Sequence, residues 1–290
     1  MDQAEQLKAG GSAHSRPLAR VITVTSGKGG VGKSNTAINL AIQFRKMDQR
    51  VIILDADFGL ANIEIMFGAV PEHNLCDLIY QGKNIKEIIT WGPMDVGFIS
   101  GGSGIAGLSN LSRDYLIYII NNLAELDSIT DVIIVDTGAG ISDAVLEFLV
   151  ASGEILLVTT PEPTSITDSY SLLKALCRHT RFSPEMSQVK VVANKVEDKA
   201  DGERLFEKLD KVVGKYLKIP ISYLGAIPQD TQLSKAVMQQ MPVSLQAPSS
   251  RSAVAYETIA AKLMNKELSK SVPKRGMAAF FSHIVTGKIL

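Results

Sequence analysis

The stretch T-S-G-K-G-G-V-G-K-S (residues 25–34) decides how the chain folds. It follows the apolar run VITVT (21–25) and opens a helix near Lys33, the strand–loop–helix order that a phosphate-binding loop requires. Gly27, Gly29, Gly30 and Gly32 carry no Cβ, so successive backbone N–H groups can turn inward onto phosphate oxygens. The helix start adds its partial positive charge at the same point. Lys33 brings a full charge to the β- and γ-phosphates, and the Ser34 hydroxyl completes a Mg²⁺ shell. With Val31 and Asn35 the stretch is expected to hold a nucleoside triphosphate.

Outward from this loop, continuously apolar runs recur at 51–55, 96–100, 131–136, 154–160, 189–194 and 221–227. Runs of this kind read as strands buried on both faces. Helical stretches lie between them at 33–47, 114–126, 142–151, 166–179, 202–217 and 249–268. Seven strands alternating with helices predict a doubly wound α/β domain over 20–268, its mostly parallel sheet covered by helices on both faces. Residues 1–19 read as a polar arm, 269–276 as a Pro/Gly/basic hinge, and 277–290 as a separate apolar–polar segment.

Two of the strands end in carboxylates. The run LDADFGLAN places Asp55 and Asp57 two residues apart, on one face at the C-terminal edge where open α/β sheets bind ligands. Asp57 begins a glycine-containing loop and is the candidate to orient an attacking water. Asp55 is placed for Mg²⁺ through water. DVIIVD ends in Asp136, followed by T-G-A-G, and such an aspartate is expected to hold the Mg²⁺ water. Lys28 cannot easily bend back onto phosphates held by its own loop. It is better placed to reach phosphate on a second subunit, in trans.

Composition narrows the remaining classes. The 290 residues carry 30 Lys+Arg and 30 Asp+Glu, with a sequence pI near 6.9. That balance argues against a specific nucleic-acid binder working through a global basic field. Cys76 and Cys177 form no CxxC pair and the four histidines show no ligand spacing, which excludes a zinc ribbon and a disulfide framework. Residues 1–20 have no secretory core and no run of about 18 apolar residues occurs, so a cytoplasmic location is expected.

KGGVGKS, LDADFGLAN and VDTGAG together resemble the deviant-Walker-A ATPases of the MinD/ParA family, in the SIMIBI class of P-loop proteins. The resemblance implies an ATP- and Mg²⁺-dependent homodimer in which Lys28 crosses to the partner's nucleotide. It implies a hydrolytic role for Asp57 and the Walker B position for Asp136. It also implies nucleotide contacts for Asn62 and adenine contacts for Asn194 and Pro228.

The C-terminal segment points to a membrane branch. Met277, Phe280, Phe281, Ile284, Val285 and Ile289 recur at three- and four-residue intervals, on one helical face. Six Lys/Arg against Glu267 give the last 29 residues a charge of about +5, attractive to anionic lipid. Fourteen residues span only about 21 Å as a helix, so the segment would lie in the interface rather than cross it. Packing on its own domain or on a dimer partner is the alternative. At the other end, D-Q-A-E-Q-L-K contains Asp2, Gln3, Ala4 and Leu7 and resembles the activation motif of the FlhG (FleN, YlxH) regulators, with Lys8 where arginine is usual. That resemblance implies regulation of flagellar number and placement, stimulation of an SRP-type GTPase (FlhF), contact with the C-ring proteins FliM/FliN and, in some cases, a flagellar transcription activator. A ParA-like partition protein binding DNA and a MinD-type division regulator are the alternatives.

Overall fold

Each of the seven apolar runs is a strand in the computed structural model, which describes residues 18–57, 62–101, 113–265 and 276–286. The strands are β1 (Arg20–Thr25), β2 (Val51–Ala56), β3 (Thr90–Trp91), β4 (Gly97–Ser100), β5 (Val132–Thr137), β6 (Glu154–Thr159), β7 (Gln188–Val196) and β8 (Ile221–Pro228). They form one sheet in the order β3-β4-β2-β5-β1-β6-β7-β8, parallel throughout except for the β3–β4 pair. Strands β2, β5 and β6 are buried at every position, as their unbroken apolar sequences require. The short antiparallel β3 went unread because two residues carry no periodicity.

The described helices are α1 (Lys33–Lys46), α2 (Asn62–Phe67), α3 (Leu75–Gln81), α4 (Arg113–Ala124), α5 (Leu126–Ile129), α6 (Asp143–Ala151), α7 (Pro163–Arg178), α8 (Lys199–Tyr216), α9 (Thr231–Met238), α10 (Val243–Gln246), α11 (Arg251–Met264) and α12 (Gly276–Thr286). Helices α1 and α11 share one core on one face of the sheet. On the other face α6, α7 and α8 share a second, and α3, α4, α6 and α12 a third. Two starts lie three residues earlier than the sequence reading, for local reasons. Pro163 is preorganised for the first turn of α7, and the Asp198 side chain caps α8 by accepting from Asp201 N–H. Helices α2, α3, α5, α9 and α10 are each eight residues or fewer, too short for a helical period to stand out.

In this structure the tail takes the alternative packing, on its own domain. Helix α12 does form, but Met277, Phe280 and Phe281 are 0–1% exposed and packed on the chain's own core. Phe148 of α6 lies 6.0 Å from Phe280 and 6.5 Å from Phe281, ring centre to ring centre. Burying each such side chain contributes about 1.5–3 kcal/mol, which outweighs leaving that face in water. Ile284 packs at the margin of the same cluster. The side chain of Val285, residue Ile289, the arm residues Asp2, Gln3, Ala4 and Leu7, and the hinge up to 275 lie outside the described residues. Among the described residues no helix is long and apolar enough to cross a membrane.

Candidate functional site

The phosphate loop joins the buried end of β1 to α1, and neighbouring elements hold it. Gly32 caps α1 in the left-handed region (φ 93°), and a Cβ there would lie 2.2 Å from Asn194 Nδ2. At Gly27 a Cβ would lie 2.2 Å from the Asp168 backbone of α7, so helix and loop meet at a distance only glycine allows. The end of β7 braces the loop from the far side. Asn194 Nδ2 donates to the Val31 carbonyl at 2.7 Å, and Lys195 Nζ donates to the Gly30 carbonyl at 2.8 Å.

At the loop's inner end, strand register collects the carboxylates. Asp55 of β2 and Asp136 of β5 are direct partners in the parallel ladder. Lys33 Nζ donates to Asp136 Oδ1 at 2.7 Å, with both side chains buried. Burial pushes the Asp136 carboxyl up, against the opposing pull of Lys33 and of a hydrogen bond from Ser34. Burial and the nearby Asp136 push Asp55 up to about 7, although it accepts from Asp57 N–H and Ile63 N–H. Two carboxyls thus face one lysine, and Asp136 Oδ2 has no hydrogen-bond partner among the described residues. This arrangement fits a hard divalent cation. Magnesium is typically held by one or two carboxylates together with water and substrate phosphates.

Asp57 stands at the mouth. Asn62 Nδ2, at the start of α2, donates to Asp57 Oδ2 at 3.4 Å, and Gly138 backs onto the same carboxylate. A cleft of about 290 Å³ opens between them, lined by Lys28, Lys33, Ser34, Asn35, Asp57 and Asn62 among others. The structure therefore brings Gly27 through Asn35, Asp55, Asp57, Asn62, Asp136 and Asn194 together. It does not bring Pro228 there. Pro228 pairs with Val196 and lines a separate groove beside β8. Asn194 is buried as a brace of the loop, a placement that favours its structural role.

Lys28 has a partner within its own chain. Its Nζ lies 2.6 Å from Glu162 Oε2 and 2.9 Å from Thr164 Oγ1, at the start of α7. Sequence reading missed Glu162 and Thr164, which are separated from Lys28 by 134 and 136 positions. It missed Lys195 too, though its place directly after Asn194 was a signal within reach.

Comparison with known proteins agrees with this geometry. Residues 22–243 match the CobQ/CobB/MinD/ParA nucleotide binding domain family. The chain is 38% identical over 275 residues to the antiactivator FleN of Pseudomonas aeruginosa, covering 95% of each. It is 33% identical to the flagellum site-determining protein YlxH of Helicobacter pylori, covering 92% of this chain and 90% of that one. Among solved structures, the cell division ATPase MinD of Pyrococcus furiosus superposes with a TM-score of 0.66 at 22% identity, over 87% of this chain and all of that one. MinD of Pyrococcus horikoshii, complexed with Mg-ADP, superposes at 0.67 and 20% identity, over 88% of this chain and 99% of that one. The chain belongs to the CobQ/CobB/MinD/ParA nucleotide-binding family, as an ATPase of its FleN/YlxH (FlhG) branch.

Proposed function

We propose that the protein is an ATP-dependent dimerising switch that regulates flagellar number and placement from the membrane surface. In the resting chain Lys28 is tied to Glu162 and Thr164. On dimerisation it would leave them for the phosphates bound by the partner. Lys33, the loop N–H groups and Asn35 hold the triphosphate, and Asp57, steadied by Asn62, orients the attacking water. Ser34, Asp55 and Asp136 would hold Mg²⁺, which supplies charge neutralisation at the phosphates.

The observation that carries the reading is the path of α6. This helix follows directly on the Gly138–Gly140 loop, which sits beside Asp57, and its first turn is capped by Ser142. Further along the same helix, Phe148 holds Phe280 and Phe281. Helix α6 therefore has the loop beside Asp57 at one end and the tail near the other. The protein core and the lipid acyl boundary are comparably apolar, so moving the apolar face of α12 from one to the other changes its burial energy little, and a nucleotide-driven shift could release it. Released from two protomers at once, paired basic tails gain avidity for anionic lipid.

The flagellar part of the reading rests on the likeness to FleN and YlxH and on the D-Q-A-E-Q-L-K segment. Asp2, Gln3, Ala4 and Leu7 would stimulate an FlhF-type GTPase. FliM/FliN would be contacts at the C-ring, and the antiactivator name of FleN suggests a transcription activator as a further partner. Sedimentation of the full chain with anionic vesicles or with DNA, in ATP and in ADP, tests the switch. ATP-dependent pelleting with vesicles is expected; ATP-dependent retention on DNA alone would replace this reading with a partition function. GTP turnover by the FlhF-type enzyme, with and without residues 1–19 of this chain, tests the partner.

A further inference from the structure

We infer that the two chain ends are fastened by one carboxylate, that of Asp127 in α5, so that releasing the C-terminal helix also releases the root of the N-terminal arm. Asp127 Oδ1 accepts from Met277 N–H at 2.9 Å and from Ala19 N–H at 3.3 Å. Its Oδ2 accepts from Met277 N–H at 3.1 Å, and Ala278 N–H also bonds the carboxyl. These are the first free N–H groups of α12 and that of the last residue before β1, and the Asp127 side chain is the acceptor that satisfies them.

Packing agrees with the hydrogen bonds. Ala19 and Met277 are both fully buried and belong to the same apolar cluster as Leu126. Gly276 has φ 65°, and a Cβ there would lie 2.5 Å from Asp127 Oδ2 and 3.1 Å from Leu18 Cδ2. The approach of the two ends thus depends on a position that only glycine fills without strain. At the opposite end of α12, Arg181 donates to the His283 carbonyl at 2.7 Å and pairs with Glu147. That second fastening touches only α12, whereas Asp127 bonds both ends.

Burial raises the Asp127 carboxyl from its ordinary range, against three backbone N–H groups that hold it down. When α12 leaves, that carboxylate gains water and keeps a single partner, the Ala19 N–H. An exposed bond of this kind is too weak to hold Leu18 and Ala19 in place. Residues 1–17 then start from a free root rather than a fixed one. This coupling stands on the geometry at Asp127 and holds whether or not the proposed membrane and GTPase roles do.

Hydrogen exchange on the full-length chain tests it, reading residues 18–20 and 276–286 with β5 as the reference for global folding. Gly276→Val should accelerate exchange of both ends at least tenfold and leave β5 unchanged. Acceleration of 276–286 with Ala19 as protected as in the parent protein would overturn the coupling. Unchanged exchange at both ends would overturn it as well, because the lack of space at Gly276 would then be false. Phe281→Ala loosens α12 from its far side and should give the same readout, which separates coupling from the direct clash that Gly276→Val makes with Leu18. Ala19→Pro removes the donor at the N-terminal end and should speed exchange at Met277 and Ala278 in return.

Discussion

Lys33 Nζ lies 2.7 Å from Asp136 Oδ1 with the lysine 7% exposed and the aspartate fully buried. The phosphate loop thus carries its own counter-ion before any phosphate arrives, and nucleotide competes with Asp136 for the lysine. The pair has both a ligand-binding and a folding consequence.

Lys33→Ala is expected to raise the dissociation constant for ATP by about two orders of magnitude or more, since it removes a charge-assisted contact. It also leaves Asp136 buried and unpaired. Breaking a buried pair costs about 3–5 kcal/mol, lessened here because Asp136 can take up a proton. Calorimetric titration and denaturant melts of the same variant check both effects.

Asp57→Ala should leave ATP binding within about twofold and lower turnover by about 10²- to 10⁴-fold, the range for losing a group that handles the attacking water. Steady-state phosphate release checks it. A variant that hydrolyses ATP at the parental rate would move the water-orienting role away from Asp57.

Lys28→Ala should leave the melting temperature essentially unchanged, because its pair with Glu162 is exposed on both sides. The same change should abolish ATP-dependent dimerisation, read by analytical ultracentrifugation. Glu162→Gln should do the reverse and ease dimer formation by freeing Lys28.

Asp55 gives the folded protein a pH dependence. Its carboxyl, near 3.8 when unfolded, stands at about 7 in the fold, chiefly through burial and then through Asp136. The folded state therefore holds the proton more tightly, and this contribution is full below pH 3.8 and lost as pH rises through about 7. Between those limits the slope from this group is at most about 1.4 kcal/mol per pH unit. Nucleotide-free protein should lose stability over that range, and Asp55→Asn should flatten the loss, as seen by chemical denaturation at a series of pH values.

Glu154 shows the opposite sign. Burial works to raise its carboxyl, but Arg20 at 2.7 Å and Lys190 at 2.5 Å outweigh burial and hold it below the carboxylate range. Its stabilising contribution is present above the unfolded value of 4.5 and is lost as pH falls through the folded one. Glu154→Gln leaves the buried Lys190 and the partly buried Arg20 without their carboxylate and is expected to cost about 3 kcal/mol in a urea melt.

Those parts of this protein whose physics is local are legible in its residues alone. Glycines before Lys33 specify a loop that turns its N–H groups inward. Unbroken β-branched runs specify doubly covered strands, and an aspartate at the end of such a run specifies a carboxylate at the ligand edge. What those groups meet depends on contacts between distant segments. Strand order sets Asp55 against Asp136, and β7 brings Asn194 under the loop, where Pro228 does not follow. Lys28 finds Glu162 at 134 positions' distance, beyond any periodicity. The amphipathic tail is the sharpest case. Its apolar face reads the same whether lipid or Phe148 covers it, because burial energy depends on area removed from water and not on what removes it.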